Sequence, residues 1–547
     1  MASRRDELNA YTFARKRTVG AFLRPEGGGN DEDAPRPIRA VVPSLVVGAV
    51  ALAGFGLWGM IKPGAPVGWD DGKSVIVGKD STTRYVLLPN PDGTKSLHPV
   101  VNMASAKLVL PADSKVVFVA DSVLDHYKAH GPTIGIPYAP DKLPGAAEAA
   151  KPKKWSVCDR PGSDPDHPYQ SLFLAADADA ATLARPDREL GGSQSLFVRG
   201  PKQDGQAVGT SYLVDPTGAS HQIGTDDQVK AQTGKGGAGD TAVKALQVGL
   251  FGNQAAPEQV SKEWLDTLLP GAPIAFPKVP GTVGQQSTVQ LPDSSQRVVG
   301  RLLTSEQGDA DFVVGPDRLY QVTPFQAQLI QMDPATQPAY PQGQAPSLAT
   351  LTPAALIQLG DRIDSTTMAP PLTKSAQDTQ LPPGAWPRLK PALPANSGDQ
   401  GTARPVVCST FEGGFDGTLP QRSVWAGTDY PAPVIATTNA AHVSAGHGLF
   451  YRAMDNTTQG SGSNYLITET GLRYSVPASS EGAPSGQASP SAAPSQPAQP
   501  AQPQVNEAQA RLGYKDDVPV PVPKAWSDLV PAGPALNTNA ATQEQNS

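Results

Sequence analysis

The sequence predicts an α+β fold. A single transmembrane helix leads into an elongated extracytoplasmic region, where four α+β repeat modules surround a central, disulfide-closed, β-rich domain. Three observations carry this prediction. Residues 41–61, VVPSLVVGAVALAGFGLWGMI, contain no charged side chain. A phrase made of an apolar run, a short turn with Gly or Asp, and a second apolar run recurs four times. The only two cysteines, Cys158 and Cys408, both follow the apolar stretch.

The apolar stretch comes first because it divides the chain. A helix of about 20 residues crosses a hydrocarbon core of roughly 30 Å. Trp58 stands near one end, where interfacial indoles are enriched. A cleaved signal peptide is the weaker reading, since the 40 preceding residues exceed an ordinary leader and no small-x-small cleavage site follows. Eight Lys or Arg in residues 1–40 against five in 62–101 lean the N-terminus toward the cytoplasm. Ahead of the span, residues 3–23 read as a basic helix. Ser3 and Asp6 stand at capping-box spacing, and Arg15, Lys16 and Arg17 lie among Leu8, Tyr11, Phe13, Val19 and Phe22. Such a helix docks on a partner or on anionic lipid, or is simply a solvated basic flank. Residues 25–37 read as a flexible linker.

The repeated phrase stands at 84–100, 211–224, 311–322 and 464–477. Alternating apolar runs around a tight turn are a β-hairpin signature. A short helical run behind an N-cap follows each copy, at 102–110, 240–250, 323–332 and 506–513. Each unit then closes on an acid, Leu or Val, Pro and Gly, at 141–146, 266–273, 378–387 and 527–536. Trp264 and Trp526 precede two of these closures. No unit is large enough to bury a generous core alone, so the units must lean on one another or on a shared centre. The segments around Cys158 and Cys408 supply that centre. Two lone cysteines in an exported region read as one disulfide, with two unpaired thiols as the alternative. Residues 479–504, rich in Pro, Ser and Ala, read as a disordered insertion.

Composition excludes some functions. A net charge of −7 argues against nucleic acid as the main partner, because phosphate binding wants a basic face. The segment GWDDGKS, 68–74, is one residue short of a phosphate-binding loop and runs into a strand-like SVIVG rather than a helix. His126 and His130 stand four apart and would share a helix face, but a zinc site needs a third ligand. His442 and His447 lie in a Gly-rich loop. The acids that open the closures recur with Leu and Pro, a turn or cap signature. No catalytic, cofactor-binding or metal-binding residues are assigned.

The segments RRDELNAYTFARKR, LHPVVNMASAKLVL, HGPTIGIPYAPDKLP and WSVC, with the hairpin repeats, resemble the EccB family, the single-pass core membrane component of actinobacterial type VII (ESX) secretion systems. The resemblance covers nearly the whole chain. It implies four repeat modules around a central domain, and Cys158 and Cys408 match the family's disulfide. It also implies assembly in the plasma membrane with an FtsK/SpoIIIE-type export ATPase and a multi-span channel subunit, with self-association outside. No cofactor is implied. The resulting division is a cytoplasmic helix and linker (1–40), the span (41–61), module 1 (62–151), the central domain (152–199 and 400–445), module 2 (200–280), module 3 (281–399), module 4 (446–537) and a polar, frayed tail (538–547). The expected function is a structural secretion subunit. The alternatives are a membrane-anchored wall-binding repeat protein and an ATPase with an unconventional site.

Overall fold

The computed structural model describes residues 3–23, 38–61, 64–164, 166–184, 188–366, 386–387, 394–397, 403–413, 421–434, 440–454, 462–477 and 506–545. The expected linker at 25–37 and the Pro/Ser-rich insertion at 479–504 lie outside these residues.

Four of five sheets repeat one plan. In the second unit, strands Leu196–Arg199, Ser211–Val214 and Ala219–Gln222 form an antiparallel meander. Helix Ala238–Phe251 then crosses over, so that Glu258–Gln259 lies parallel to the first strand. The short helix Lys262–Asp266 makes a second crossover, and Leu269–Pro270 lies parallel to the third strand. Parallel neighbours need such crossovers, which is why helices alternate with the late strands. The third unit follows the same order, with strands Leu302–Ser305, Asp311–Val314, Leu319–Val322, Leu348–Leu351 and Ile363–Asp364. Units one and four match for four strands each: Ser74–Gly78, Arg84–Pro89, Lys95–Val100 and Lys115–Val119, then Leu449–Met454, Ser463–Ile467, Arg473–Ser475 and Val520–Pro523. Their fifth edge is reduced to parallel bridges, Leu97 to His130 and Val100 to Ile134 in unit one, and Arg473 to Ala532 in unit four.

The repeated phrase is therefore strands two and three of a five-element sheet. The first strand and both parallel edges lack an alternating signature of their own, and Leu196–Arg199, allotted above to the central domain, pairs into unit two. The closures are not equivalent either. Those at 266–273 and 527–536 carry the fifth edge, but DKLPGA at 141–146 follows it. In unit three the edge comes earlier, at Ile363–Asp364, and residues 378–385 lie outside the described residues.

The fifth sheet is the centre. Its strand order is Arg422–Gly427, Val406–Phe411, Lys154–Asp164, His167–Ala175 and Ala440–Val443. Cys158 and Cys408 are register partners on neighbouring antiparallel strands and are bonded to each other. Alternation along these strands gives the sheet two faces. Cys158, Phe173, Cys408 and Trp425 face one side, covered by Leu183 and Tyr430. Trp155, Val157, Leu172, Val407 and Phe411 face the other.

That second face joins the units. It shares one core with Leu196, Val214 and Trp264 of unit two and with Leu449, Tyr451 and Trp526 of unit four. Units one and three pack elsewhere. Unit one shares a core with unit four, through Ala104, Leu108, Phe450, Leu466 and Leu512. Unit three shares one with unit two, through Phe325, Leu329, Leu246 and Leu250. The order in space is thus 1–4–centre–2–3, two arms on one stapled sheet.

The terminal residues differ from the frayed tail expected. Leu536 and Ala541 are fully buried, Thr538–Ala541 is helical, and Glu544 bridges Ile134 of unit one. The polar composition concealed this because the contacts are largely backbone: Gly135 N–H to Gln543 O at 3.1 Å and Gln545 N–H to Thr133 O at 2.8 Å.

At the other end, helices Arg4–Leu23 and Ile38–Ile61 precede the first sheet. The side chains described within the second are those of 41–54, and Val42, Leu45, Val47 and Leu52 are exposed. Over that described stretch, and elsewhere among the described residues, no helix is long and apolar enough to cross a membrane.

Candidate functional site

Polar groups between units form joints of three kinds. The first joins unit two to the centre. Asp159, next to the disulfide, is fully buried and accepts hydrogen bonds from Ser261 N–H at 2.6 Å, Ser261 Oγ at 2.7 Å and Gln170 Nε2 at 3.2 Å. Ser261 in turn caps the helix that carries Trp264. The joint therefore orients the indole that fills the shared core. Burial, against these bonds, pushes the Asp159 carboxyl up to about 6. Burial, with Asp159 nearby, pushes Glu258 up to about 7. Desolvation disfavours the charged form of both acids.

The second joint ties unit one, the centre and unit four at Glu148. Its carboxylate accepts from buried Lys153 Nζ at 2.6 Å and pairs with His447 Nδ1 at 2.5 Å. Burial works against ionisation, but the bonds from Lys153 and His447 outweigh it and hold Glu148 down at about 2.

The third kind of joint occurs twice, where two crossover helices meet. In the 1–4 arm, Lys107 Nζ donates to Leu512 O at 3.3 Å and Arg511 to Leu108 O at 2.6 Å. The helices thus cap one another's C-terminal carbonyls with cations, where the helix dipole favours them. In the 2–3 arm, Gln328 Nε2 donates to Gly249 O at 2.8 Å. Beside this contact lies an open groove of about 980 Å³ lined by Asp240, Lys244, Val248, Gln328, Gln331 and Met332. Asp240 is already engaged, accepting from Thr233, Gly234, Gly236 and Gly237.

The remaining candidates take structural places. GWDDGKS leads into strand Ser74–Gly78, and its carbonyls at Asp70 and Asp71 accept from Lys95 at 3.1 and 2.8 Å. It presents acceptors where a phosphate loop presents donors. The expected helix face for His126 and His130 does not form, because the helix ends at Asp125. His126 Nδ1 lies 2.6 Å from Ser122 O, and His130 bridges Leu97. His442 is in a strand with its ring 6.1 Å from Phe173. Asp141 accepts from Met103 N–H at 3.1 Å and pairs with Arg84, so this closing acid caps its unit's helix. Asp266 pairs with Lys262 at 2.5 Å. Among the described residues no group of three or more His, Cys, Asp or Glu is placed to hold a metal. Sequence reasoning missed Asp159, Glu148 and Lys153. For Asp159 the one available signal was an acid ending a strand-like run, WSVCD.

The family described as "Type VII secretion system ESX-1, transport TM domain B" matches residues 1–547. The chain belongs to the EccB family. It is therefore a structural component of a type VII secretion system. The ESX-5 secretion system ATPase EccB5 of Mycobacterium marinum is 28% identical over 286 residues, a match that spans about half of each protein, 52% of either. The ESX-1 secretion system ATPase EccB1 of Mycobacterium tuberculosis is 25% identical over 502 residues, 89% of each chain. Two solved structures share the fold. One is an intact ESX-5 inner membrane complex, with TM-score 0.53, 20% identity, and 100% of this chain and 96% of that one covered. The other is the EccB3 dimer from the ESX-3 core complex, with TM-score 0.53, 20% identity, and 86% and 99% covered.

Proposed function

We propose that this chain is a core scaffold subunit of a plasma-membrane type VII secretion complex, built of four repeat modules on a disulfide-closed centre. Residues 41–61 of helix Ile38–Ile61 span the membrane once, with residues 1–40 cytoplasmic and the sheets outside. The absence of any charge from 41 to 61 supports the span. Helix Arg4–Leu23 buries none of its side chains, and Leu8, Tyr11 and Phe22 are exposed. It docks beside the export ATPase or the multi-span channel subunit. The outer units meet a second copy, a reading supported by EccB3 of the ESX-3 core complex, which shares this fold and is a dimer.

The observation that carries the reading is where the buried polar groups go. Asp159, Glu148 and Gln328 each bond from one unit to another, which is the work of a scaffold. The test is a native purification, with an affinity tag inside residues 479–504 and mild solubilisation. Co-purification of an FtsK-like ATPase and a multi-span protein is the expected result. A protein that emerges alone overturns the reading. The relatives bear the name ATPase, and turnover by residues 64–547 that one substitution abolishes without unfolding would replace the scaffold reading with that one.

A further inference from the structure

Each unit has a fourth strand at its parallel edge, and the four edges differ. In unit two, Glu258–Gln259 sits beside the central strand that carries Asp159. In unit three, Leu348–Leu351 offers small Ala349 and Thr350. In unit four, Val520–Pro523 buries both valines and blocks its edge with Pro521 and Pro523. Unit one alone leaves large apolar side chains out: in Lys115–Val119, Val116 is 42% and Phe118 57% exposed. The strand pairs with Ser74–Gly78 on one side, and on the other, among the described residues, backbone bonding is confined to its end, where the Gly64 carbonyl accepts from Ala120 N–H at 2.7 Å.

That last bond fixes where the strand sits. Gly64 is three residues beyond the end of helix Ile38–Ile61 and is held against unit one, with its Cα side beside Val123. Three residues reach roughly 11 Å at full extension. The headgroup layer on each side of a bilayer is about 5–8 Å deep. A helix that spans the membrane therefore pins the end of strand 115–119 at or just above the headgroups. Phe118 is two residues from that pin. Exposed Val and Phe with a flanking Lys115 suit this zone, where apolar side chains enter the acyl boundary and a lysine reaches back to water.

We propose that strand Lys115–Val119 of unit one lies on the outer lipid surface, with Phe118 and Val116 inserted at the headgroup–acyl boundary, so that unit one is fixed at the membrane and the other units extend from it. This rests on the span reading, and the test separates the two. The native cysteines are bonded to each other, so an introduced cysteine labels selectively. Phe118→Cys, Ile357→Cys and Leu52→Cys are each made in the full chain, labelled with an environment-sensitive fluorophore and reconstituted in phosphatidylcholine/phosphatidylglycerol vesicles. Ile357 is the control, 81% exposed in unit three. The expected result is that labels at 118 and 52 lose most of their emission to nitroxide-labelled lipid and little to aqueous iodide, with the reverse at 357. Lipid quenching at 52 with iodide quenching at 118 overturns this proposal and leaves the span. Iodide quenching at both overturns both. Shielding of 118 from both quenchers, seen only when sister subunits are present, assigns the strand to a protein partner and also overturns it.

Discussion

The two arms are built alike and tied differently. In each, an inner unit packs on the central sheet and an outer unit packs on the inner one through crossover helices. In the 2–3 arm the partners are consecutive in the chain, and the whole arm is an excursion between Cys158 and Cys408. In the 1–4 arm the partners stand at opposite ends of the sheet-bearing region, about 400 residues apart, and Lys107 meets Leu512. The first arm needs its ends pinned, and the disulfide pins them. The second needs its termini brought together, and the tail at 537–545 straps unit four to unit one. The same packing can thus be closed covalently or by the chain's own end.

The largest effect should follow loss of the covalent tie. Replacing Cys158 and Cys408 by Ala frees a loop with a sequence separation of 250. In the chain-entropy account this costs roughly 5 kcal/mol. Urea unfolding of residues 64–547 should show a lower midpoint, or two transitions where there was one. An unchanged midpoint would mean that the excursion is held by packing alone.

Removing residues 537–547 should act on the other arm and cost less. It deletes the backbone bonds to Thr133 and Gly135 and the buried Ala541, about 2 kcal/mol at ~1 kcal/mol per bond. Protease cutting should rise in unit one and stay unchanged in unit three. Equal cutting in both would remove the distinction between the arms.

The smallest effect is a pH dependence confined to the unit-two joint. The folded-state carboxyl of Glu258 is raised from 4.5 to about 7 by burial and Asp159, and Asp159 is itself raised from 3.8 to about 6. Between these values the folded chain holds protons that the unfolded chain has released. Stability therefore falls as pH rises from about 4 to 7. Glu258→Gln should flatten the upper part of that slope and raise stability at pH 8 by ~1 kcal/mol, after allowance for its partial exposure. Parallel pH curves for the two proteins would contradict the joint as described.

The hairpins were legible because their alternation is local: Tyr212, Leu213 and Val214 announce a strand without reference to anything distant. The helices were legible for the same reason, with Asn102, Thr323 and Asn506 each capping the run that follows. The short parallel edges were not, since Glu258–Gln259 is a strand only because Val198 and Arg199 lie beside it. The arms depend on contacts between residues hundreds of positions apart, and so do the joints. Asp159 reads as a surface acid until Ser261 reaches it from another unit. The tail misled for a further reason: its composition is polar while its contacts are made by the backbone.

Hydrogen exchange of residues 64–547 carrying Trp526→Ala tests the two-arm scaffold most directly. Trp526 is fully buried between the central sheet and unit four, with Trp155 at 6.4 Å and Phe411 at 5.6 Å between ring centroids. Its loss should cost about 3–5 kcal/mol at that interface. The account predicts faster exchange in helix Met103–Val109 of unit one, which depends on unit four, and unchanged protection in helix Pro324–Met332 of unit three. Equal acceleration in both helices, or in neither, would contradict it.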